Sequence, residues 1–480
     1  MSRTYEDALQ KLTQLQSNRT TTQLFDDDKN PSQDAAKARN LNAAAIPEML
    51  HWLRRAGYSP ADLCRMRHIH VAGTKGKGSV CAFATSMLRR YGTVGTYTSP
   101  HLVSPRERIA INGRPVSQEA FARAFFDLWD RFTECARKEG VDATTAEGAS
   151  SKPFFFRFLT ILAWHMFLRE GIGSVVMECG IGGEYDATNV LPAEAVSAAV
   201  VSQLGVDHVA MLGDTVEKIS WHKAGIFRRG VKAFTVNLSH QPSVMEVLRS
   251  RAREKGALLV ELEARDVEAW GGVRGNLRGD FQKLNQALAV MAVREHLGLP
   301  GGDLGQVPGE MVEGLRQASL RGRCEVLRCD EGTTWLLDGA HTRESLQQVA
   351  RWVAQEGVQP DEHFILVFNQ QERNAPELLK AFVEAVQGGM GKREVFSHAL
   401  FTRNEVKARA EQDLAVQQGA AAMMQSLSPG CTIAVLDNVE SAVEAARGWC
   451  LGEKKGKILV TGSLHLVGGI LQVLEPDPVL

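Results

Sequence analysis

The sequence predicts an α/β fold in two domains, each built on a mostly parallel sheet with helices on its faces. Three observations carry that expectation. Short apolar runs alternate with amphipathic helical patterns; the alternation restarts beyond Leu320; and a glycine-rich stretch separates the first apolar run from the first long helical pattern. A chain of 480 residues is also too long for one ordinary core.

Taken in order, residues 1–40 are polar, with an acidic Asp26-Asp27-Asp28 patch and Pro31 in an expected loop, and read as a partly ordered lead-in. Ile46, Met49, Leu50, Leu53 and Leu63 suggest helices that deliver the chain to a first buried strand, Ile69 to Ala72. Beyond the glycine stretch, Val80, Phe83, Ala84, Met87 and Leu88 fall on one face of a helix that Gly92 can stop. Val94 to Thr98, Ser174 to Met177 and Ala195 to Ser202 read as further strands. Phe154 to Leu168 is the most apolar segment, yet it carries Arg157 and His165 and is too short to span a bilayer, so it reads as a core helix. The Gly- and Pro-rich stretch Gly298 to Gly309 precedes a boundary that divides residues 41–319 from 320–480. In the smaller second domain, Thr334–Leu337, Phe364–Phe368, Glu394–Phe401, Thr432–Leu436 and Lys457–Val460 form a Rossmann-like series of strands with helical stretches between them.

Composition narrows the partners. With 44% hydrophobic and 23% charged residues and a formal net charge of -1, the chain has no general attraction for nucleic acid or an anionic membrane. Its eight cysteines include no C-x-x-C pair, which argues against zinc and disulfide frameworks and fits a reducing compartment. The first residues lack the apolar run of a secretory signal and the arginine-rich bias of a transit peptide, so a cytoplasmic location is expected.

The stretch Val71-Ala72-Gly73-Thr74-Lys75-Gly76-Lys77-Gly78-Ser79 has the strand–glycine loop–helix context of a phosphate cradle. Glycines let backbone N–H groups converge on an anion, the helix N-terminus adds its positive end, and Lys77 can reach terminal phosphates. Two departures from the general pattern, Val71 at the first glycine position and Gly78 between Lys77 and Ser79, leave a plain glycine turn as the alternative.

In parallel sheets ligands sit beyond the carboxyl ends of strands. Polar residues follow four of the apolar runs: Ser99 and His101; Glu178, opening Glu178-Cys179-Gly180-Ile181-Gly182-Gly183-Glu184-Tyr185-Asp186-Ala187-Thr188-Asn189; Asp207 and His208; and Asp338-Gly339-Ala340-His341. Each alone also reads as a cap or a turn. Together, the Ser99 hydroxyl, the Glu178 carboxylate and the His208 imidazole could complete a Mg²⁺ site beside phosphates, although Mg²⁺ prefers oxygen and His208 would be an unusual ligand. Nothing in composition marks Lys223, which by itself reads as a solvated helix lysine.

With these residues in place the chain resembles the folylpolyglutamate synthases, within the Mur-ligase superfamily of ATP-dependent amide ligases. The likeness runs through Gly73 to Ser79, Thr98-Ser99-Pro100-His101-Leu102, Arg106-Glu107-Arg108-Ile109, Phe155 to Thr160 and Glu178 to Gly183. It continues through Leu204 to His208, Lys223-Ala224-Gly225-Ile226, Asp338 to His341 and Thr461 to Leu466. The resemblance implies a P-loop domain that binds ATP through Gly73, Thr74, Gly76, Lys77, Gly78 and Ser79, with Asn285, Arg323 and Asp338 at the nucleotide. It further implies two Mg²⁺ sites held by Ser99, Glu178, His208 and a Lys223 carbamylated by CO₂, a monovalent cation such as K⁺, and Asp338 and His341 acting with Lys77 and Lys223 in catalysis.

The implied reaction adds L-glutamate to the γ-carboxylate of reduced folates and folylpolyglutamates, through an acyl phosphate, in a cytoplasmic monomer; the sequence leaves open whether a longer mitochondrial form exists. Competing readings are a dihydrofolate synthase that attaches the first glutamate to dihydropteroate, a phosphotransferase, and a non-catalytic nucleotide-binding scaffold. Thr342 stands where many bacterial relatives have asparagine, and His222 precedes the special lysine. The Phe156-Arg157-Phe158-Leu159-Thr160 stretch favours the dedicated eukaryotic type.

Overall fold

A computed structural model describes residues 3–15, 31–300, 302–329, 332–359, 362–371, 374–408, 413–450 and 455–475. The Asp26–Asp28 patch of the expected lead-in lies outside them. The chain divides into two compact units. One holds the residues up to His101, Pro105–Val273 and Lys283–Ala318; the other holds Leu102–Ser104, Arg274–Gln282 and the residues from Ser319 onward.

The first unit is built on eight strands: β1 (Arg67–Ala72), β2 (Val94–Tyr97), β3 (Ile109–Ile111), β4 (Arg114–Pro115), β5 (Ser174–Glu178), β6 (Val196–Val201), β7 (Lys232–Val236) and β8 (Leu258–Leu262). Their order is β4-β3-β2-β5-β1-β6-β7-β8. β2, β5, β1, β6, β7 and β8 are parallel, and only the β3 and β4 edge runs antiparallel. β1 is central, pairing Val71 with Glu178 on one side and Val200 on the other. Burial on both faces explains why β1, β2, β5 and β6 read as continuous apolar runs, whereas β7 and β8 were not anticipated, β8 being only partly buried. The short edge pair β3 and β4 carries no such signal.

Helices cover this sheet according to what they bury. Phe155–Arg169 is the expected core helix, with Phe158, Trp164 and Phe167 fully buried: Phe158 packs on Phe125 and Phe132 of the helix Gln118–Lys138, and Phe167 lies against Gly95 of β2. The helix Tyr5–Thr13, inside the stretch read as a partly ordered lead-in, is capped by Thr4 and buries Ala8 and Leu12 in the same core. Pro31, expected in a loop, begins the helix Pro31–Arg55, because a first-turn residue needs no N–H donor. The helix Lys77–Leu88 differs from its one-sided expectation: Ser79, Cys81, Thr85 and Ser86 are buried along with the apolar face. The cause is a second cover, the helix Gly309–Gln317, whose Gly314 lies so close that a Cβ there would sit 2.7 Å from Met87 Cα.

The second unit has six strands: β9 (Glu325–Arg328), β10 (Thr333–Leu337), β11 (Glu362–Phe368), β12 (His398–Phe401), β13 (Thr432–Val435) and β14 (Lys455–Thr461), in the order β13-β12-β11-β14-β10-β9. All are parallel except β9. Alternate residues feed two cores, Leu336, Leu366 and Phe368 on one face and Trp335, Leu337, Ile365 and Val367 on the other. β12 is shorter than the run from Glu394 suggested, starting at His398. Among the described residues, no helix is long and apolar enough to cross a membrane.

Candidate functional site

Four neighbouring strands of the first unit, β2, β5, β1 and β6, point their carboxyl ends the same way, and the glycine loop leaves the central one. The loop is tied to the end of β6. Thr74 and Lys75 donate their N–H groups to Gln203 O at 2.8 and 3.1 Å, Thr74 Oγ1 donates to Gly205 O, and Ser202 Oγ donates to Lys75 O at 2.7 Å. Gly73 lies so near Ser202 that a Cβ would fall 1.9 Å from its Oγ. Gly76 takes φ 85° as N-cap of the helix Lys77–Leu88, and a side chain there would strike Asn285 Oδ1 at 2.3 Å. Asn285, buried on the helix Gln282–Leu297, therefore stands against the loop.

Val80 N donates to Gly76 O, so Lys77, Gly78 and Ser79 occupy the first turn, where the dipole favours an anion. Lys77 folds back over the loop and donates Nζ to Gly73 O at 3.1 Å.

Glu178 ends β5 and is 3% exposed; one of its oxygens, Oε2, accepts the Ser99 N–H at 3.1 Å, which brings the β2 and β5 strand ends together. The turn after Glu178 is organised by buried Asp186, which accepts N–H bonds from Gly180, Ile181 and Thr188 and the Thr188 hydroxyl at 2.6 Å. Burial raises the Asp186 carboxyl above its ordinary range, and these four donors oppose that rise.

Lys223 is 2% exposed at the end of the helix Val216–Lys223, with Nζ donating to Gly73 O at 2.7 Å. Burial first, and the Lys77 ammonium second, lower its amine to about 7. Its place is set by the turn after β5. A Cβ on Gly183 would lie 2.8 Å from Lys223 O, Glu184 N donates to His222 O at 2.7 Å, and Arg251 clamps the Glu184 carboxylate. Glu184, Asp186 and Arg251 thus support the site, although periodicity and spacing gave no sign of Arg251.

His208 is less enclosed. It stands at φ 50° at the head of the short helix Val209–Leu212, with its side chain 43% exposed and Nε2 3.9 Å from Asp207 Oδ2. Among the described residues, no three of His, Cys, Asp and Glu form a metal cage. Ser99 and Glu178 nevertheless present oxygens, and Mg²⁺ is commonly held by one or two carboxylates, substrate phosphates and waters. The donor set fits Mg²⁺ on those terms.

In the second unit, Asp338 follows β10 and is buried, accepting N–H bonds from Cys324 at 2.8 Å and Ala340 at 2.9 Å. Burial raises its carboxyl, and the neighbouring Arg323 guanidinium opposes that. His341 turns Nδ1 to Gly339 O at 3.0 Å. Thr342 has a local duty, capping the helix Arg343–Glu356 by accepting the Ser345 N–H. Gln370, unmarked in the sequence, donates to both His341 O and Gly462 O and fastens two strand-end turns together.

Comparison with known proteins gives the class first. Residues 327–473 match the family model described as dihydrofolate synthetase, C-terminal domain. Over nearly its whole length the chain is similar to the folylpolyglutamate synthase of Neurospora crassa, 39% identical over 99% of this chain and 92% of that protein. It is also similar to the folylpolyglutamate synthase of Candida albicans, 35% identical over 99% and 97%. The fold matches a Mycobacterium tuberculosis folylpolyglutamate synthase complexed with ADP, with a TM-score of 0.71 at 23% identity, covering 94% of this chain and 100% of that one. The chain belongs to the folylpolyglutamate synthase family.

Proposed function

We propose that this chain is an ATP-dependent ligase that joins the amine of L-glutamate to the γ-carboxylate of a reduced folate or folylpolyglutamate, releasing ADP and phosphate. The observation that carries the reading is the meeting of Lys77 and Lys223 at the Gly73 carbonyl, at the N-terminal turn of the helix Lys77–Leu88, with the Ser99–Glu178 contact at the carboxyl ends of the neighbouring strands β2 and β5. Similarity to fungal folylpolyglutamate synthases, and ADP in the mycobacterial relative, support the choice of substrates.

A carboxylate is a poor electrophile. Its oxygen attacks the γ-phosphorus of ATP, the bond to the β-phosphate oxygen breaks, and ADP leaves an acyl phosphate. The glutamate amine then attacks the acyl carbon; the tetrahedral intermediate expels phosphate with its electron pair, and the nitrogen loses a proton. Such a transfer needs position and charge neutralisation above all. Gly76, Gly78, Ser79 and the helix N-terminus receive the phosphates, and Lys77 moves from the Gly73 carbonyl to their charge. Asn285 borders the nucleotide at the loop, and the family resemblance gives Arg323, Asp338 and His341 their roles toward the nucleotide and the incoming glutamate.

Lys223 has the low basicity that carbamylation requires. Its neutral Nζ attacks the carbon of CO₂, one C=O electron pair moves to oxygen, and the nitrogen proton passes to water. The resulting carbamate, with Ser99, Glu178 and His208, would hold Mg²⁺, which supplies charge neutralisation at the transferring phosphoryl group. We place the enzyme in the cytoplasm as a monomer.

A second reading is favoured by the family model, whose description names dihydrofolate synthetase. Incorporation of labelled glutamate separates the two. The expected result is ATP-dependent incorporation into tetrahydrofolate and its polyglutamates; incorporation into dihydropteroate alone would replace this proposal with the second reading.

A further inference from the structure

His70 stands within β1, fully buried, just before the glycine loop begins at Gly73. Burial holds its imidazole well below the ordinary pKa, so the ring is neutral and carries one N–H. Nδ1 has no hydrogen-bond partner, whereas Nε2 lies 2.8 Å from Thr188 Oγ1 and 3.2 Å from the Cys179 thiol, a weaker acceptor. Thr188 Oγ1 is in turn 2.6 Å from Asp186 Oδ1. A carboxylate only accepts, so the single hydroxyl proton of Thr188 goes to Asp186, and the hydroxyl oxygen accepts the Nε2–H of His70. The opposite order needs a protonated Asp186 and leaves an N–H on Nδ1 buried without an acceptor, the costlier arrangement. The donors therefore run one way, from His70 to Thr188 to Asp186.

That chain reaches the turn after β5. Asp186 Oδ1 takes the Thr188 N–H and hydroxyl, and Oδ2 takes the Gly180 and Ile181 N–H groups at 2.9 and 3.0 Å. Cys179 N also ties the turn to β1, donating to Val71 O at 2.9 Å. Further along the turn, Gly183 and Glu184 meet the His222 and Lys223 carbonyls. β1 thus ends in the loop whose Gly73 carbonyl receives Lys223 Nζ, while its His70 side chain holds the turn on which the Lys223 backbone rests. A ring nitrogen without a partner in a central strand is a cost, and the bond from Nε2 is what offsets it.

We propose that His70 is a positioning residue for the ligation: donating through Thr188 to Asp186, it fixes the Gly180–Glu184 turn against β1 and, with it, the place of Lys223 relative to the glycine loop. Being fully buried, it acts only through these neighbours. Its kinetic consequence rests on the ligase reading above; the tie itself is a property of the fold.

The test combines amide hydrogen exchange with steady-state kinetics of the full chain, using tetrahydrofolate, ATP and L-glutamate. In His70→Leu the amides of Gly180, Ile181 and Thr188 should exchange about tenfold faster than in wild type. Its kcat should fall about tenfold, the factor that one lost hydrogen bond supplies, with the ATP KM within about twofold. His70→Gln, whose amide N–H reaches the place of Nε2, should recover most of both losses; His70→Asn, whose amide lies nearer the place of Nδ1, should not. Thr188→Val should match His70→Leu, and combining the two should add little, because both break one chain. Unchanged exchange or unchanged kcat in His70→Leu overturns the assignment, as do equal behaviour of the Gln and Asn variants and multiplying effects of His70→Leu and Thr188→Val. Should His70→Leu fail to fold, Thr188→Val against Thr188→Ser decides: the serine variant, which keeps the hydroxyl, should lose less in both readouts, and equal losses overturn the proposal. A wild-type chain that keeps the exchange pattern among its variants yet does not ligate counts against the ligase reading and leaves the tie supported.

Discussion

Lys77 and Lys223, 146 positions apart in the chain by their numbers, donate to one oxygen, the carbonyl of Gly73, at 3.1 and 2.7 Å. Two ammonium groups this close oppose each other, and Lys223, the more deeply buried, yields.

Removing one cation should therefore restore basicity to the other. In Lys77→Met, the Lys223 amine should titrate above its wild-type value of about 7, though still below an exposed lysine because burial, the larger cause, persists. Rates of reductive methylation at Lys223 against pH, read by peptide mass spectrometry in CO₂-free buffer, measure this. An unchanged midpoint would show that the two amines do not interact.

Stability should carry the same signature. The folded amine is lowered to about 7 from 10.5, so between those values the unfolded chain binds more protons and this group makes stability rise with pH. Below about pH 7 the full penalty of a buried ammonium is present. Lys223→Met should accordingly raise Tm more at pH 6 than at pH 9 in CO₂-free buffer, by differential scanning calorimetry. An equal gain at both values would contradict the shift.

Gly76→Ala should damage the loop twice over. A left-handed backbone costs an L residue about 1–2 kcal/mol, and the new methyl meets Asn285 Oδ1. Expected outcomes are a fall in urea stability of that order and a raised ATP KM. Adding Asn285→Ala should return part of the stability but none of the nucleotide affinity.

In the second unit, Asp338→Ala strands the buried N–H groups of Cys324 and Ala340. Each costs about 1–3 kcal/mol when unsatisfied, so a large drop in denaturant midpoint is expected. Asp338→Asn, which keeps one acceptor oxygen, should fall between that variant and wild type.

The central parallel strands were legible because burial on both faces writes them as unbroken apolar runs; β1, β2, β5, β6, β10, β11 and β14 all coincide with such runs, whereas the parallel strands β7 and β8, the latter only partly buried at the sheet edge, were not read. β3 and β4, short and at the sheet edge, had no pattern to betray them. The all-round burial of the helix Lys77–Leu88 was hidden as well, since Gly314, the residue that permits the covering helix to approach, lies far along the chain. The same division holds at the site. Strand-end position drew attention to Ser99, Glu178 and His208, whereas Lys223, Asn285 and Arg323 became candidates only through family resemblance. Arg251 and Gln370 escaped both routes: each acts through a contact between distant segments, Arg251 with Glu184 and Gln370 with Gly462, which no local periodicity encodes.

The ties that shape the glycine loop come from Gln203 and Gly205, the latter 131 positions after Thr74. During synthesis the loop leaves the ribosome long before its anchor exists. The nascent chain therefore has no finished glycine loop until β6 has been made and has paired beside β1. The shape of the loop then reports that β6 has joined β1, and a chain truncated before Gln203 would keep the motif in its sequence while lacking the ties that shape it.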